Sequence, residues 1–96
     1  MDYITGYPIS PHERSLLTAA TEMVTDWQGA QSGGSFRRAV LTQADHYLTL
    51  HGLTHADYAQ FRLMANAIRT GKGDPNTNPD PLIAILRGEA DQPVSW

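Results

Sequence analysis

The chain is 96 residues long, 41% apolar, 18% charged and free of cysteine. That length allows one small domain, residues 1–96, burying roughly 60–65% of its unfolded surface. The missing cysteines exclude a disulfide framework, a thiol nucleophile and a thiolate zinc site, and a net charge of −3 is neither the basic excess of a dedicated nucleic-acid binder nor the large acidic surplus of a DNA mimic.

Residues 1–8, MDYITGYP, carry no positive n-region and no apolar stretch, so no secretion signal is expected. No apolar run approaches the ~18 residues of a membrane span, and a cytoplasmic protein without a membrane partner is expected. A first helix is expected over about 11–29. Ser10 suits the cap, Pro11 the first helical position, and Glu13 the residue that closes a capping box. Leu16, Ala20, Met23 and Trp27 recur at 4-3-4 spacing, joined by Leu17 and Val24, while Thr18, Thr21 and Thr25 line the other side.

After the Gly33-Gly34 loop, Ser35 is expected to cap a second helix over about 36–51, with Phe36, Val40, Ala44, Tyr47 and Leu48 as its core stripe, widened by Leu41 and Leu50. Gly52 stands where that helix must end, and Thr54 with Asp57 makes a short capping box for a third helix over about 55–70. Leu53 and Tyr58 match a hydrophobic staple, and Tyr58, Phe61, Met64, Ala65 and Ile68 form the apolar side. Gly71-Lys72-Gly73 opens a polar loop over 71–80. Asp80 is expected to cap a short fourth helix over about 81–87, which Gly88 ends. With no alternating pattern anywhere, the expected fold is all-α: three main helices in a bundle and one short C-terminal helix.

The stretch HYLTLHGLTHADY, residues 46–58, gathers three histidines and an aspartate, residue types that hold zinc, copper or nickel. Spacing disperses them. His46 and His51 are five apart, hence about 140° apart around a helix, and His55 falls across the turn. His51 suits the last helical turn, where cations and carbonyl-seeking donors are favoured. Asp74, Asn76, Asn78 and Asp80 alternate as in a calcium loop, but the positions for the turn glycine and the bidentate glutamate hold Pro79 and Ile85. No metal or other cofactor is expected. Neither a phosphate loop nor a nucleophile elbow occurs, and Glu22 and Asp26, at i and i+4, read as a solvated edge; no enzyme is expected.

Gly52-Leu53-Thr54, followed by Asp57, Tyr58, Ala59 and Phe61, resembles the turn of helix-turn-helix DNA-binding repressors. That pattern wants a small residue four before the glycine, where this chain has Leu48, and Asp57 would repel phosphate. On a helical wheel His55, Arg62, Asn66 and Arg69 share a narrow arc able to face a nucleic-acid backbone. Arg37 and Arg38 fall in the expected first turn of the second helix, where the dipole disfavours cations. Either Glu22 or Asp26 neutralises them internally, or they anchor an acidic partner. Tyr3, Ile4, Tyr7, Val94 and Trp96 make both ends apolar enough to cover the core, a partner or a second copy in a homodimer.

These features together read as a non-catalytic helical interaction module, a small accessory, adaptor or inhibitor protein of the kind phages and mobile elements carry. Its expected contacts with another protein are Arg37, Arg38, Arg62, Asn66, Arg69 and Trp96. The alternative is DNA binding through residues 55–70.

Overall fold

The computed structural model describes residues 9–27 and 33–89, with side chains in the second helix from Phe36 onward. Four α-helices follow in order, α1 (Pro11–Asp26), α2 (Gly33–Leu50), α3 (Tyr58–Arg69) and α4 (Asp80–Leu86), with a 3₁₀ turn at His55–Asp57. The all-α expectation of three main helices and a short fourth is met, and no strand forms among the described residues beyond an isolated bridge between Asp74 and Asn78. None of these helices is long and apolar enough to cross a membrane.

α1 starts as its sequence dictates. The Ser10 hydroxyl accepts the Glu13 N–H at 3.1 Å, and the Glu13 carboxylate accepts the Ser10 N–H at 3.0 Å, so two orphan donors are satisfied reciprocally. The same carboxylate receives a planar fork from Arg87, just past α4, through Nε at 2.7 Å and Nη2 at 2.8 Å. That fork, with the Ser10 N–H, holds the Glu13 carboxyl down at about 2, against 4.5 ordinarily. A depressed folded-state value stabilises the fold above the unfolded-state value and loses that contribution as pH falls towards the folded one. Thermal midpoints at constant ionic strength should therefore drop between about pH 5 and 2, and Glu13→Gln should remove part of that drop. Equal slopes for the two proteins would count against it.

α1 ends at Asp26 with Trp27 as its C-cap, short of the expected 11–29; residues 28 and 29 lie outside those described. α2 departs more. It begins at Gly33, inside the expected loop, so Ser35 is not its cap, and it ends one residue before His51. Arg37 and Arg38 consequently stand in the second turn, where the N-terminal dipole has mostly decayed. The core stripe Phe36, Val40, Ala44, Tyr47 and Leu48 is buried, but Leu41 and Leu50 are 54% and 60% exposed and do not widen it.

The corner at residues 48–58 follows the local chemistry closely. Gly52 has φ +72°; the Leu53 N–H bonds to the Leu48 carbonyl at 2.8 Å and the Gly52 N–H to the Thr49 carbonyl at 3.2 Å, a Schellman ending with Leu48 and Leu53 in the same core cluster. The Thr54 hydroxyl then accepts the Ala56 N–H at 3.3 Å, and Asp57 accepts the Thr54 N–H at 3.0 Å. The first turn after this cap is 3₁₀, so α3 proper starts at Tyr58 instead of His55. A Cβ at Gly52 would meet nothing within 4 Å, so Gly52→Ala is strained only by its backbone and should cost about 1 kcal/mol. An unchanged melting temperature would contradict this.

α3 is the central element: α1 packs along it most extensively, and α2, the 3₁₀ turn and α4 also rest on it. Phe61, Met64, Ala65 and Ala67 are fully buried, while Tyr58, Leu63 and Ile68 are partly buried against the core. Phe61 stacks on Tyr47 with ring centroids 6.4 Å apart. The helix α4 is short, and Leu82–Leu86 are buried throughout its length, as a helix apolar all round must be. Its N-cap is Pro79 with no side-chain hydrogen bond, so Asp80 is its first residue and does not cap it.

Candidate functional site

The histidines of residues 46–58 are held apart, each by its own helix geometry. His51 Nε2 lies 3.0 Å from Glu22 Oε1, close enough for an ion pair once the imidazole is protonated but without hydrogen-bond alignment. His55 Nδ1 contacts Asp45 Oδ1 at 3.1 Å, and its ring stacks on Tyr58 at 5.5 Å. His46 meets the Tyr47 ring edge-on at 5.3 Å. His12, from the start of α1, reaches Asp57 at 3.2 Å. Three histidine–carboxylate contacts thus tie neighbouring elements at separate points, and no group of three metal-ligating side chains converges among the described residues.

In the 71–80 loop, Asp74 Oδ1 accepts the Asn76 N–H at 2.7 Å and the Thr77 N–H at 3.2 Å. These backbone donors lower its pKa, and they turn the carboxylate onto its own loop as an Asx turn. The first residue of the alternating Asx pattern is spent on making the turn.

The carboxylates of α1 do not neutralise the arginines of α2. Glu22 faces His51, and Asp26 Oδ2 accepts the Tyr47 hydroxyl at 2.6 Å. Burial first, and then this bond to Asp26, push the Tyr47 pKa up to about 12, so the phenol remains a donor throughout the neutral range. Arg37 and Arg38 are exposed, and neither forms an ion pair among the described residues. Both α1 carboxylates thus reach the far end of α2 and the residue after it, at Tyr47 and His51.

At that N-terminal half the structure gathers residues from three helices. Phe36, fully buried, lies beneath the guanidinium of Arg69, which sits 5.0 Å from the ring centroid. Beside them runs a groove of about 530 Å³ lined by Val24 and Trp27 from the end of α1 and Ile68 and Arg69 from the end of α3. Of the predicted contact residues, Arg37, Arg38 and Arg69 are exposed, whereas Arg62 and Asn66 are half-buried and engaged in interactions of their own. The expected arc of His55, Arg62, Asn66 and Arg69 is therefore not one free face. Trp96 lies outside the described residues.

Comparison with protein-family models, with curated proteins and with solved structures finds no match to this chain.

Trp27 is the functional candidate that sequence reasoning placed elsewhere. Its 4-3-4 spacing with Leu16, Ala20 and Met23 marks it as core, and it does pack against the core. As the C-cap of α1, however, it stands at the helix edge, half-buried. A large amphipathic ring at the last position of an apolar stripe was the available signal. Among the described residues, this end of the bundle brings the partly buried Val24, Trp27 and Ile68 beside the guanidinium of Arg69.

Proposed function

We propose that the protein is a helical interaction module that acts by binding another protein and performs no chemistry of its own. The observation that supports this is the state of Arg37 and Arg38: both are exposed, and the α1 carboxylates best placed in sequence to pair with them are engaged by His51 and Tyr47. Exposed arginine forks over a rigid helix suit carboxylate recognition by a partner.

DNA recognition through residues 55–70 draws less support. α3 is enclosed by the other helices, and its exposed residues are Ala59, Gln60 and Arg69, of which only one is cationic. Insertion into a major groove needs a broad accessible face bearing several base- or phosphate-contacting side chains.

Replacing Arg37 and Arg38 together by alanine should leave the melting temperature within about 2 °C, as surface substitutions do, while releasing a partner recovered on the immobilised wild-type chain. A partner retained by the double variant would overturn this reading. So would duplex DNA binding that weakens steeply with salt and is lost with Arg69→Ala, which would favour the DNA alternative.

A further inference from the structure

We propose that two copies of the chain pair by exchanging α4: the helix of each leaves its own bundle and takes the same place on the other. This goes beyond the module reading and does not depend on it.

α4 docks well and stands alone badly. Its seven residues fall well short of the ~12–15 that keep a free helix formed in water. Leu82, Ile83, Ala84, Ile85 and Leu86 are all buried. Once released, the segment exposes five consecutive apolar side chains, and it recovers both burial and helical form only on a surface of matching shape. That surface is chiefly α3. Just past the helix, Arg87 adds its fork to Glu13 of α1, at 2.7 and 2.8 Å. A foreign apolar helix has to supply both the shape and the guanidinium, whereas a second copy supplies both by identity.

The connection between α3 and α4, residues 70–79, suits a hinge. Its ten residues reach about 33 Å when extended, at ~3.3 Å each. That is close to the 34 Å longest dimension of the fold, so an opened hinge spans from one bundle to another at its side. Residues 70–72, 74 and 76–78 are exposed. From Asp74 on, the loop bonds to itself. The Asp74 N–H donates to the Asn78 carbonyl at 3.1 Å and the Asn78 N–H to the Asp74 carbonyl at 2.9 Å, while Asp74 Oδ1 accepts from Asn76 and Thr77. Water replaces these exposed bonds at small net cost on opening. Pro75 and Pro79 then favour an extended chain.

Exchange restores the contacts of α4 with α3 and the Glu13–Arg87 fork. The closed and exchanged forms therefore differ mainly at the hinge and in the freedom lost on pairing. A tethered α4 meets its own bundle at an effective concentration in the millimolar range, and that sets where a second copy competes.

Refolding the full chain from urea at about 1 mM should trap a dimer, and refolding at about 10 µM should give monomer, as read by light scattering after size exclusion. Glu13→Arg and Arg87→Glu then show which chain supplies α4. Each variant alone sets like charges at the contact, whether closed or exchanged. Mixed at about 1 mM, exchange brings Glu13 of one chain to Arg87 of the other and pairs the two altered residues at the second contact. Native mass spectrometry should find this mixed dimer about tenfold more abundant than either homodimer. Circular dichroism melts establish that both variants fold. If Glu13→Arg, which loses the capping box, does not fold, a wild-type dimer made from labelled and unlabelled chains decides. Isotope-filtered NMR should then show contacts between α3 of one chain and α4 of the other.

Monomer alone at every concentration overturns the proposal. So does a mixed dimer no commoner than random pairing gives, or α3–α4 contacts confined to one chain, since either describes two closed chains touching at their surfaces.

Discussion

Phe61→Ala is expected to destabilise the fold by about 3–5 kcal/mol, enough to unfold a large share of the molecules of a domain this size at 37 °C, given total stabilities of about 5–15 kcal/mol. Phe61 is fully buried in α3, the helix on which α1, α2 and α4 all rest, and its ring stacks on Tyr47. Truncation removes the transferred apolar surface and also leaves a cavity that the surrounding close-packed helices close only in part. The loss of stacking compromises the support of Tyr47, whose hydroxyl ties α2 to Asp26 of α1. Urea denaturation followed by circular dichroism should show the midpoint falling steeply with little change in slope. Phe61→Leu, which conserves much of the volume, should cost under about 1.5 kcal/mol. A similar small loss for the alanine variant would mean that the centre of the bundle repacks freely, contrary to the close packing described.

Gly73→Ala is expected to cost about 1–3 kcal/mol by overpacking, through a mechanism different from that at Gly52. The backbone of Gly73 is not in the left-handed region; the difficulty is space. A Cβ there would stand 2.9 Å from Leu82 Cγ and 3.2 Å from the Asn78 carbonyl oxygen. Leu82 is fully buried in α4 and has no solvent into which to swing, and Asn78 is pinned by its paired backbone bonds to Asp74 at 2.9 and 3.1 Å. The loop therefore has to move away from α4 or α4 away from the core. Combining the substitution with Leu82→Ala should give a double variant less destabilised than the sum of the two singles, because the methyl added at one site enters the space vacated at the other. Strict additivity in thermal melts would show that the close approach of loop and α4 is not what resists the alanine.

Much of the local architecture was legible in the residues. The Ser10–Glu13 capping box, the glycine ending at Gly52 and the Thr54–Asp57 cap involve partners at most five residues apart. Their geometry is a property of a short stretch of chain and needs no knowledge of what packs on it. The apolar stripes of α1 and α3 were likewise readable, because period alone tells which side of a helix turns inward. The errors have two causes. Leu41 and Leu50 extend the stripe of α2 on a wheel yet remain exposed, because width of burial depends on how many neighbours flank a helix. The beginning of α2 was misplaced because a Gly-Gly pair reads as loop, while its backbone is as free to enter the first helical turn as to avoid it.

The sequence by itself determined the class of this protein, the cap at Ser10, the corner at Gly52 and Thr54, and the absence of thiol chemistry, since these follow from composition, period and hydrogen bonds within a few residues. Only the tertiary structure decided which charges are paired within the fold and which stay exposed. Glu13 meets Arg87 across 74 positions, Glu22 and Asp26 turn to His51 and Tyr47, and Arg69 settles over Phe36. Those pairings are fixed by the angles at which helices cross, and crossing angles arise from the packing of whole faces, which no single segment contains.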